Sequence, residues 1–348
     1  RGALRLGRWE GQEDVYDLRP PGGAASERWR SPGRPGAKEL RLLRGLLTPE
    51  EVSEVLAATG RSAFQPEAEG SKNPVQTPVA VLKARGEWAG GALTSALRGA
   101  LEEAVEQRVV PHVREVYADP SLVASEVLVR RYVPAEKAEH ALHFDHHAAA
   151  TCVLDLVPRP GSGLFVQPGP GAASRRFAPV LDAGDAVVHG WDLFHGVALE
   201  PGHERVSVIV WAKPREDAER GGTSWYRALA AAGDVDAAYR LGMEAEEAGR
   251  AEEAAEWFGR AAAEGNWMAM CRLGRLGAGG HWTERAAGLG WADAQVDLGD
   301  GRQQAGDHAA AAAAYASAAE QGHPAGLHRL GLCLLRGAGR PRDEAAGR

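Results

Sequence analysis

Cysteine is scarce in this chain. Only Cys152, Cys271 and Cys333 occur among 348 residues, far apart, odd in number and without a CxxC pair. This argues against a disulfide framework or a cysteine-built structural zinc site, and it fits a reducing compartment such as the cytoplasm. Long apolar runs are missing as well. None reaches the roughly 18–20 residues that span a bilayer, so a soluble chain with no membrane partner is expected. An excess of positive charge is also lacking: 40 Lys and Arg stand against 47 Asp and Glu, a net charge of −7. That argues against a general nucleic-acid binder working by phosphate neutralisation, though not against a local basic groove. Apolar residues are plentiful at 44%, enough for a sizeable core. The first residue is Arg1 rather than Met, so a segment ahead of it, a cleaved targeting signal included, stays open.

Residues 1–37 are rich in Arg, Gly, Pro and Ser, show no helical or strand period, and read as a disordered tail. Order begins near Lys38. KELRLLRGLLTPEEVSEVLAATG reads as a short strand and then a helix, with Thr48 as N-cap, Pro49 at the first helical position and Glu51 completing a capping box. A longer helical stretch is predicted from about Ala92 to Tyr117, its apolar face carrying Leu93, Leu97, Leu101, Val105, Val109, Val113 and Tyr117. From Leu122 the pattern turns to short β-rich runs: SEVLVRRYV, ATCVLDLV, GLFVQ, FAPVLD, DAVVHG and RVSVIVWA. Punctuated by Gly, Pro and Asp, these predict an antiparallel sandwich or barrel rather than βαβ units. The β-rich region ends near Pro214.

From about Tyr226 the chain becomes Ala-rich, helical and repetitive. Leu-Gly recurs at 241–242, 273–274, 298–299 and 330–331, spaced 32, 25 and 32 residues apart. AAAEG, AAGLG and AAEQG precede the last three pairs, each closing glycine nine residues before the next Leu-Gly glycine. Pairs of antiparallel helices stacked in a solenoid account for this, the middle unit having lost about two turns. The pattern resembles SEL-like tetratricopeptide repeats, carried in the first unit by Tyr239, Leu241, Gly242, Ala254, Trp257, Ala261, Ala262 and Gly265. That resemblance implies a protein partner bound through the repeats; the alternative is a helical cap that only stabilises.

The chemistry is concentrated in RRYVPAEKAEHALHFDHHAAATCVLDL and GDAVVHGWDLFHGVALEPGHERVSVIVWAKP. His143-x-Asp145 lies just ahead of a β-rich run. In a strand, residues i and i+2 share a face, so an imidazole and a carboxylate can meet one ion. A histidine from a distant strand completes a triad with open positions, which suits non-haem Fe(II). His189, His195 and His203 are the candidates. Nearby, His140, His146 and His147 line an entrance or lie on the surface, Trp191 forms a pocket wall or packs in a core, and one of Arg130 and Arg131 could face a substrate mouth.

The arrangement resembles the prolyl 4-hydroxylase branch of the Fe(II)- and 2-oxoglutarate-dependent oxygenases over about residues 40–214. In that pattern a Tyr precedes HxD by about ten residues and a basic residue follows the distal His by about ten. Tyr132 precedes His143 by eleven and Arg205 follows His195 by ten, so the resemblance selects His143, Asp145 and His195 as metal ligands. It implies that Arg205 anchors the far carboxylate of 2-oxoglutarate through bidentate hydrogen bonds. Ser207 adds a second donor on the same strand face, with Tyr132 and Thr151 on the cosubstrate side. Where collagen-type enzymes usually carry Lys, this chain has Arg205. Asp145 favours hydroxylation, because related halogenases lack that carboxylate.

The fold expected is α+β: a double-stranded β-helix (jelly-roll) barrel with supporting helices, followed by an all-α helical-repeat solenoid. The expected divisions are a tail at 1–37, an oxygenase domain at 38–214, a linker at 215–225 and repeats at 226–348. The resemblance implies Fe(II), 2-oxoglutarate and O2, with ascorbate as a further reductant. It implies hydroxylation of an unactivated C–H on a peptidyl residue such as proline in a peptide or protein substrate. Two other readings stand beside it: an oxygenase acting on a small molecule or nucleobase, and a repeat-based adaptor with an inactive barrel.

Overall fold

The computed structural model describes residues 13–17, 38–59, 79–89, 92–132, 139–159, 162–177, 181–200 and 202–347. The chain divides into two compact units. The first ends at Ser224 and the second starts at Trp225, with Gly169–Arg175 sorting with the second.

In chain order the strands of the first unit are β1 (Glu13–Asp17), β2 (Glu39–Leu43), β3 (Val79–Ala84), β4 (Glu87–Trp88), β5 (Leu122–Tyr132), β6 (Glu139–His143), β7 (Ala150–Asp155), β8 (Gly163–Val166), β9 (Arg176–Phe177), β10 (Ala186–Gly190), β11 (His195–Ala198) and β12 (Arg205–Pro214). They form a large antiparallel sheet, β1-β2-β10-β7-β12-β5-β3-β4, and a small one, β6-β11-β8-β9. From β5 to β12 the chain passes back and forth between the two, which is the strand order of a double-stranded β-helix. Among the described residues the two sheets are separate, with no pairing between them. The tail reading fails at one place: Glu13–Asp17 pairs with β2 from Glu13↔Leu43 to Asp17↔Glu39. The rest of residues 1–37 lies outside the described residues.

Side-chain alternation explains why the large sheet is covered on both faces. On β12, Val206, Val208 and Val210 join the main core with Leu82, Val127 and Val129. Three helical segments supply the other half of that core: α1 (Pro49–Thr59), α2 (Ala92–Ala104) and α3 (Val110–Val116). The opposite, inward face of β12 carries Arg205, Ser207, Ile209 and Trp211. As predicted, Thr48 caps α1: Glu51 N–H donates to Thr48 Oγ1 at 3.2 Å and Thr48 N–H to Glu51 Oε2 at 2.8 Å.

The long helix is continuous from Ala92 to Val116 but opens into a π turn at Val105–Val109. Pro111 has no N–H to donate and its ring would crowd the carbonyl of Gln107 in a regular helix. The widened turn, with Val110 N–H donating to the Val105 carbonyl, absorbs this. It also rephases the apolar face, because each four-residue step overshoots a 3.6-residue turn by about 40°.

Residues 215–225, expected as a linker, contain a helix, α4 (Arg215–Arg220), whose Arg215 N–H donates to the Ser121 carbonyl at 3.0 Å. The second unit then runs α5 (Trp225–Ala231), α6 (Val235–Glu247), α7 (Ala251–Ala263), α8 (Trp267–Arg275), α9 (Gly280–Gly288), α10 (Ala292–Gln304), α11 (His308–Glu320), α12 (Pro324–Arg336) and α13 (Glu344–Gly347). The short middle repeat is α8 with α9, nine residues each against thirteen in α6, α7, α10 and α11. The Leu-Gly glycines are contact points: a Cβ on Gly242 would stand 2.5 Å from the Phe258 ring, and one on Gly299 2.4 Å from the Tyr315 ring. Ion pairs link successive first helices, Arg272 to Glu246 at 3.0 Å, Arg275 to Asp297 at 2.6 Å and Arg329 to Asp300 at 3.2 Å. No helix among the described residues is long and apolar enough to cross a membrane.

Candidate metal centre

Strand register builds the site from two cross-strand pairs. In the small sheet His195, the first residue of β11, pairs directly with His143, the last of β6. In the large sheet Arg205, the first residue of β12, pairs with Tyr132, the last of β5. Asp145 is not on a strand, as the HxD argument assumed, but in the connection that follows β6. Its carboxylate is held there by Thr151 of β7, whose hydroxyl donates to Asp145 Oδ2 at 2.7 Å.

His143, Asp145 and His195 present ligand atoms all within 4.8 Å of one another. His143 Nε2 lies 3.6 Å from Asp145 Oδ1 and His195 Nε2 3.6 Å from Asp145 Oδ2. Each imidazole turns Nδ1 to the carbonyl two residues earlier, Ala141 at 2.8 Å and Leu193 at 3.0 Å. A carbonyl only accepts, so Nδ1 carries the hydrogen and Nε2 keeps its lone pair toward the centre. Burial by itself would raise the Asp145 carboxyl, but His195, His143 and His189 together hold it well below the usual carboxylate range. Burial, with His189 beside it, pushes His195 down to about 3 against the pull of Asp145. Neither donor therefore has a proton to give up near neutrality before meeting a cation.

Across the inward face of the large sheet, register partners form rows. One row is polar: His189, Thr151, Trp211 and Glu126 stand side by side. The next is apolar and crosses six strands: Leu42, Val187, Val153, Ile209, Leu128 and Val81. Beyond it come Asp155, Ser207 and Arg130, then Arg205 with Tyr132. The cavity between the sheets is floored by this grid and roofed by Leu164, Val197 and the two ligand histidines.

Arg205 is only 2% exposed. Its Nε donates to Asp155 Oδ2 at 2.8 Å, and its guanidinium lies 5.7 Å from the Tyr132 ring centre. Its Nη2 is buried and has no partner among the described residues, and the same is true of Ser207 Oγ and Trp211 Nε1. Burial alone would lower the guanidinium, but Asp155 and Tyr132 raise it, so it stays charged.

The other candidates separate. His189 is not in the triad; it is buried behind His195, ring centres 4.4 Å apart, with Nδ1 facing the Gly190 carbonyl at 3.0 Å. His203 is buried elsewhere, its N–H donating to the Glu200 carbonyl. His140 stacks on His143 at 4.4 Å and lines the cavity, His146 is exposed, and His147 packs edge-on against Trp211 at 4.5 Å. Trp191 is a buried packing residue. Arg130 lines the cavity, while Arg131 pairs with Glu204 at 2.6 Å. Two residues were missed in the sequence. Asp155 was visible as a lone carboxylate ending an apolar strand, which requires a buried partner. Trp211 was visible through alternation, three two-residue steps from Arg205.

No family model matches this chain, and no curated protein does. Solved structures similar to it include an oxidoreductase of the 2OG-Fe(II) oxygenase family from Burkholderia pseudomallei, 15% identical over 61% of this chain and 97% of that one, with a TM-score of 0.41. A prolyl-4-hydroxylase from Pseudomonas putida is 16% identical over 51% of this chain and 92% of its own, TM-score 0.37. A Sel1 repeat protein from Oxalobacter formigenes is 26% identical over 36% of this chain and 57% of its own, TM-score 0.34.

Proposed function

We propose that the chain is an Fe(II)- and 2-oxoglutarate-dependent dioxygenase that hydroxylates an unactivated C–H bond on a peptidyl residue such as proline, in a domain of residues 38–214, with the repeats of 226–348 binding substrate or partner. The observation that carries this is the pairing of a preset two-histidine, one-carboxylate centre with a buried, charged and half-satisfied guanidinium in the same cavity. The donor set fits Fe(II), leaving positions open for further ligands. The free Nη2 of Arg205 and the hydroxyl of Ser207 fit the far carboxylate of 2-oxoglutarate, since a buried donor without a partner costs about 1–3 kcal/mol and an incoming carboxylate would relieve it.

When bound, Fe(II) with 2-oxoglutarate and O2 supplies the oxidation that puts one oxygen atom into the substrate C–H and the other into succinate, with release of CO2. The chain's own part is positioning. Ala141 and Leu193 fix the imidazole tautomers, Thr151 aims Asp145, and Asp155 with Tyr132 holds Arg205 in one orientation. The apolar row keeps water from the floor of the cavity.

Anaerobically purified protein given Fe(II), 2-oxoglutarate and then O2 is expected to form succinate, with ascorbate sustaining turnover. Absence of both succinate and iron binding overturns the proposal. His143→Ala is expected to abolish iron-dependent turnover. Arg205→Lys, which keeps a charge beside Asp155, is expected to raise the 2-oxoglutarate requirement by roughly tenfold or more; an unchanged requirement removes Arg205 as the anchor.

A further inference from the structure

A second cavity, of about 130 Å³, lies within the repeats between α10 and α12. Its wall on α12 is Arg329, Leu332, Cys333 and Arg336. Steps of three and four residues put these side chains on one helix face, with the two arginines about 10 Å apart along the axis. Asp300 faces them from α10. Tyr315 of α11 reaches the cavity past Gly299, where a Cβ would stand 2.4 Å from its ring. Tyr315 and Cys333 also belong to one buried apolar cluster, so the floor is preset by packing.

The charges around this cavity do not balance. Asp300 is saturated: Oδ1 accepts from the Tyr315 hydroxyl at 2.7 Å and Oδ2 from Arg329 Nη2 at 3.2 Å. Arg329 is thereby neutralised. Arg336 pairs with no carboxylate among the described residues. It is near enough to Cys333 that, together with Arg340, it pulls down a thiol that burial raises. The surplus is regional: residues 321–348 hold five Arg and two acidic residues, Asp343 and Glu344, in a chain of net charge −7. A cationic ligand would meet two guanidinium groups and no open carboxylate. A purely apolar one would gain nothing from Arg336. A carboxylate on a short methylene stem uses both features, its stem on the apolar wall and its oxygens on the guanidinium fork. Size points the same way. The volume is well under the roughly 300–1,000 Å³ of a small-molecule site and suits one side chain of a larger partner. Phosphate groups are read by clusters of arginines, and only one guanidinium is open here.

We infer that this cavity is a docking pocket for an acidic side chain of a protein partner: Arg336 holds the carboxylate while Leu332, Cys333 and the Tyr315 ring pack against its stem. The inference rests on the partner-binding role given to the repeats above, and not on the iron chemistry. It names the chemistry of that partner as an acidic peptide segment.

The test titrates the full chain, by calorimetry, with three capped pentapeptides: acetyl-Gly-Glu-Glu-Glu-Gly-amide, its glutamine counterpart, and one carrying a central phosphoserine between glycines. Wild-type protein is expected to bind the glutamate peptide about tenfold or more tighter than the other two, and less tightly as salt rises from about 50 to about 200 mM. Arg336 is exposed, so Arg336→Gln is expected to keep its melting temperature and to lose about tenfold in affinity for the glutamate peptide. Arg342→Gln removes an arginine of the same basic stretch that pairs with Glu344 outside the cavity, and is expected to stay within about twofold of wild type. Equal loss in the two variants would mean diffuse attraction and overturns the assignment, as does preference for the phosphoserine peptide. Glutamate and glutamine peptides bound alike, with no loss in Arg336→Gln, would leave the repeats a peptide-binding surface and remove this cavity from it; binding of no peptide would remove both. Failure of the oxygenase reading shows separately, as wild-type protein that binds neither Ni(II) nor 2-oxoglutarate.

Discussion

Arg205 divides its hydrogen bonds between the protein and an open position. Asp155 takes the Nε–H, and Nη2 is left buried without a partner among the described residues. Arg205 and the ligand set were legible through the resemblance of the HxD, distal-histidine and basic-residue spacing to the prolyl 4-hydroxylase branch. It did not make Asp155 legible as the partner of Arg205, since 50 residues separate them and only the β7–β12 register brings them together. The three cysteines illustrate burial acting on chemistry. Burial pushes the Cys152 thiol up to about 12, and Cys271 likewise up to about 12, with Cys333 raised as well. The thiolate is the reactive form, so at neutral pH native protein is expected to show none of its three thiols to a disulfide exchange reagent and all three after denaturation. Rapid native labelling of Cys152 would contradict its placement in the core.

Within elements, local rules were read well where they are short-range. The Thr48–Glu51 capping box formed as expected, and it is tied further by Arg108 from the π turn, which donates to Glu51 Oε2 at 3.0 Å and to the Leu46 carbonyl at 2.5 Å. Burial would raise the Glu51 carboxyl, but the hydrogen bonds and charge of Arg108 with the Thr48 N–H leave it lowered. A carboxyl lowered in the folded state contributes stability that is present above its unfolded value and lost as pH falls through the folded one. Thr48→Ala is therefore expected to cost about 1 kcal/mol. Glu51→Gln is expected to destabilise at pH 7, and that difference is expected to shrink progressively as pH falls below the unfolded carboxyl value of about 4.3; thermal melts over a descending pH series test this. In the repeats, Gly242→Ala and Gly299→Ala put a methyl into the Phe258 and Tyr315 rings and are expected to cost about 1–3 kcal/mol each, whereas Gly259→Ala, where a Cβ meets nothing within 4 Å, is a silent or stabilising control. The π turn was not legible, because a four-residue apolar period alone does not say where a helix will widen; Pro111 is the local cause.

At the scale of the molecule, α4 belongs to the β-rich unit, since Arg215 N–H bonds to the Ser121 carbonyl and the unit ends at Ser224. A fragment of residues 1–224 is accordingly expected to bind Ni(II) and 2-oxoglutarate within about twofold of the full chain, whereas truncation after Pro214 removes a packed helix and lowers the melting temperature. Loss of metal binding in the longer fragment would mean the two units do not act independently. The amino-acid sequence by itself determined the class of each unit and the His143-x-Asp145 pair, while His195 and Arg205 were picked out by the resemblance of their spacing to the prolyl 4-hydroxylase branch. Apolar periods of two and 3.6 are written into neighbouring residues, and Tyr132 to His143 and His195 to Arg205 span strand-to-strand crossings of nearly equal length. Only the tertiary structure decided that these four are two register pairs facing one cavity, that Asp145 is aimed by Thr151 and that Asp155 restrains Arg205. The reason is physical: which side chains meet across a sheet depends on register between strands dozens of residues apart, and no local pattern carries that.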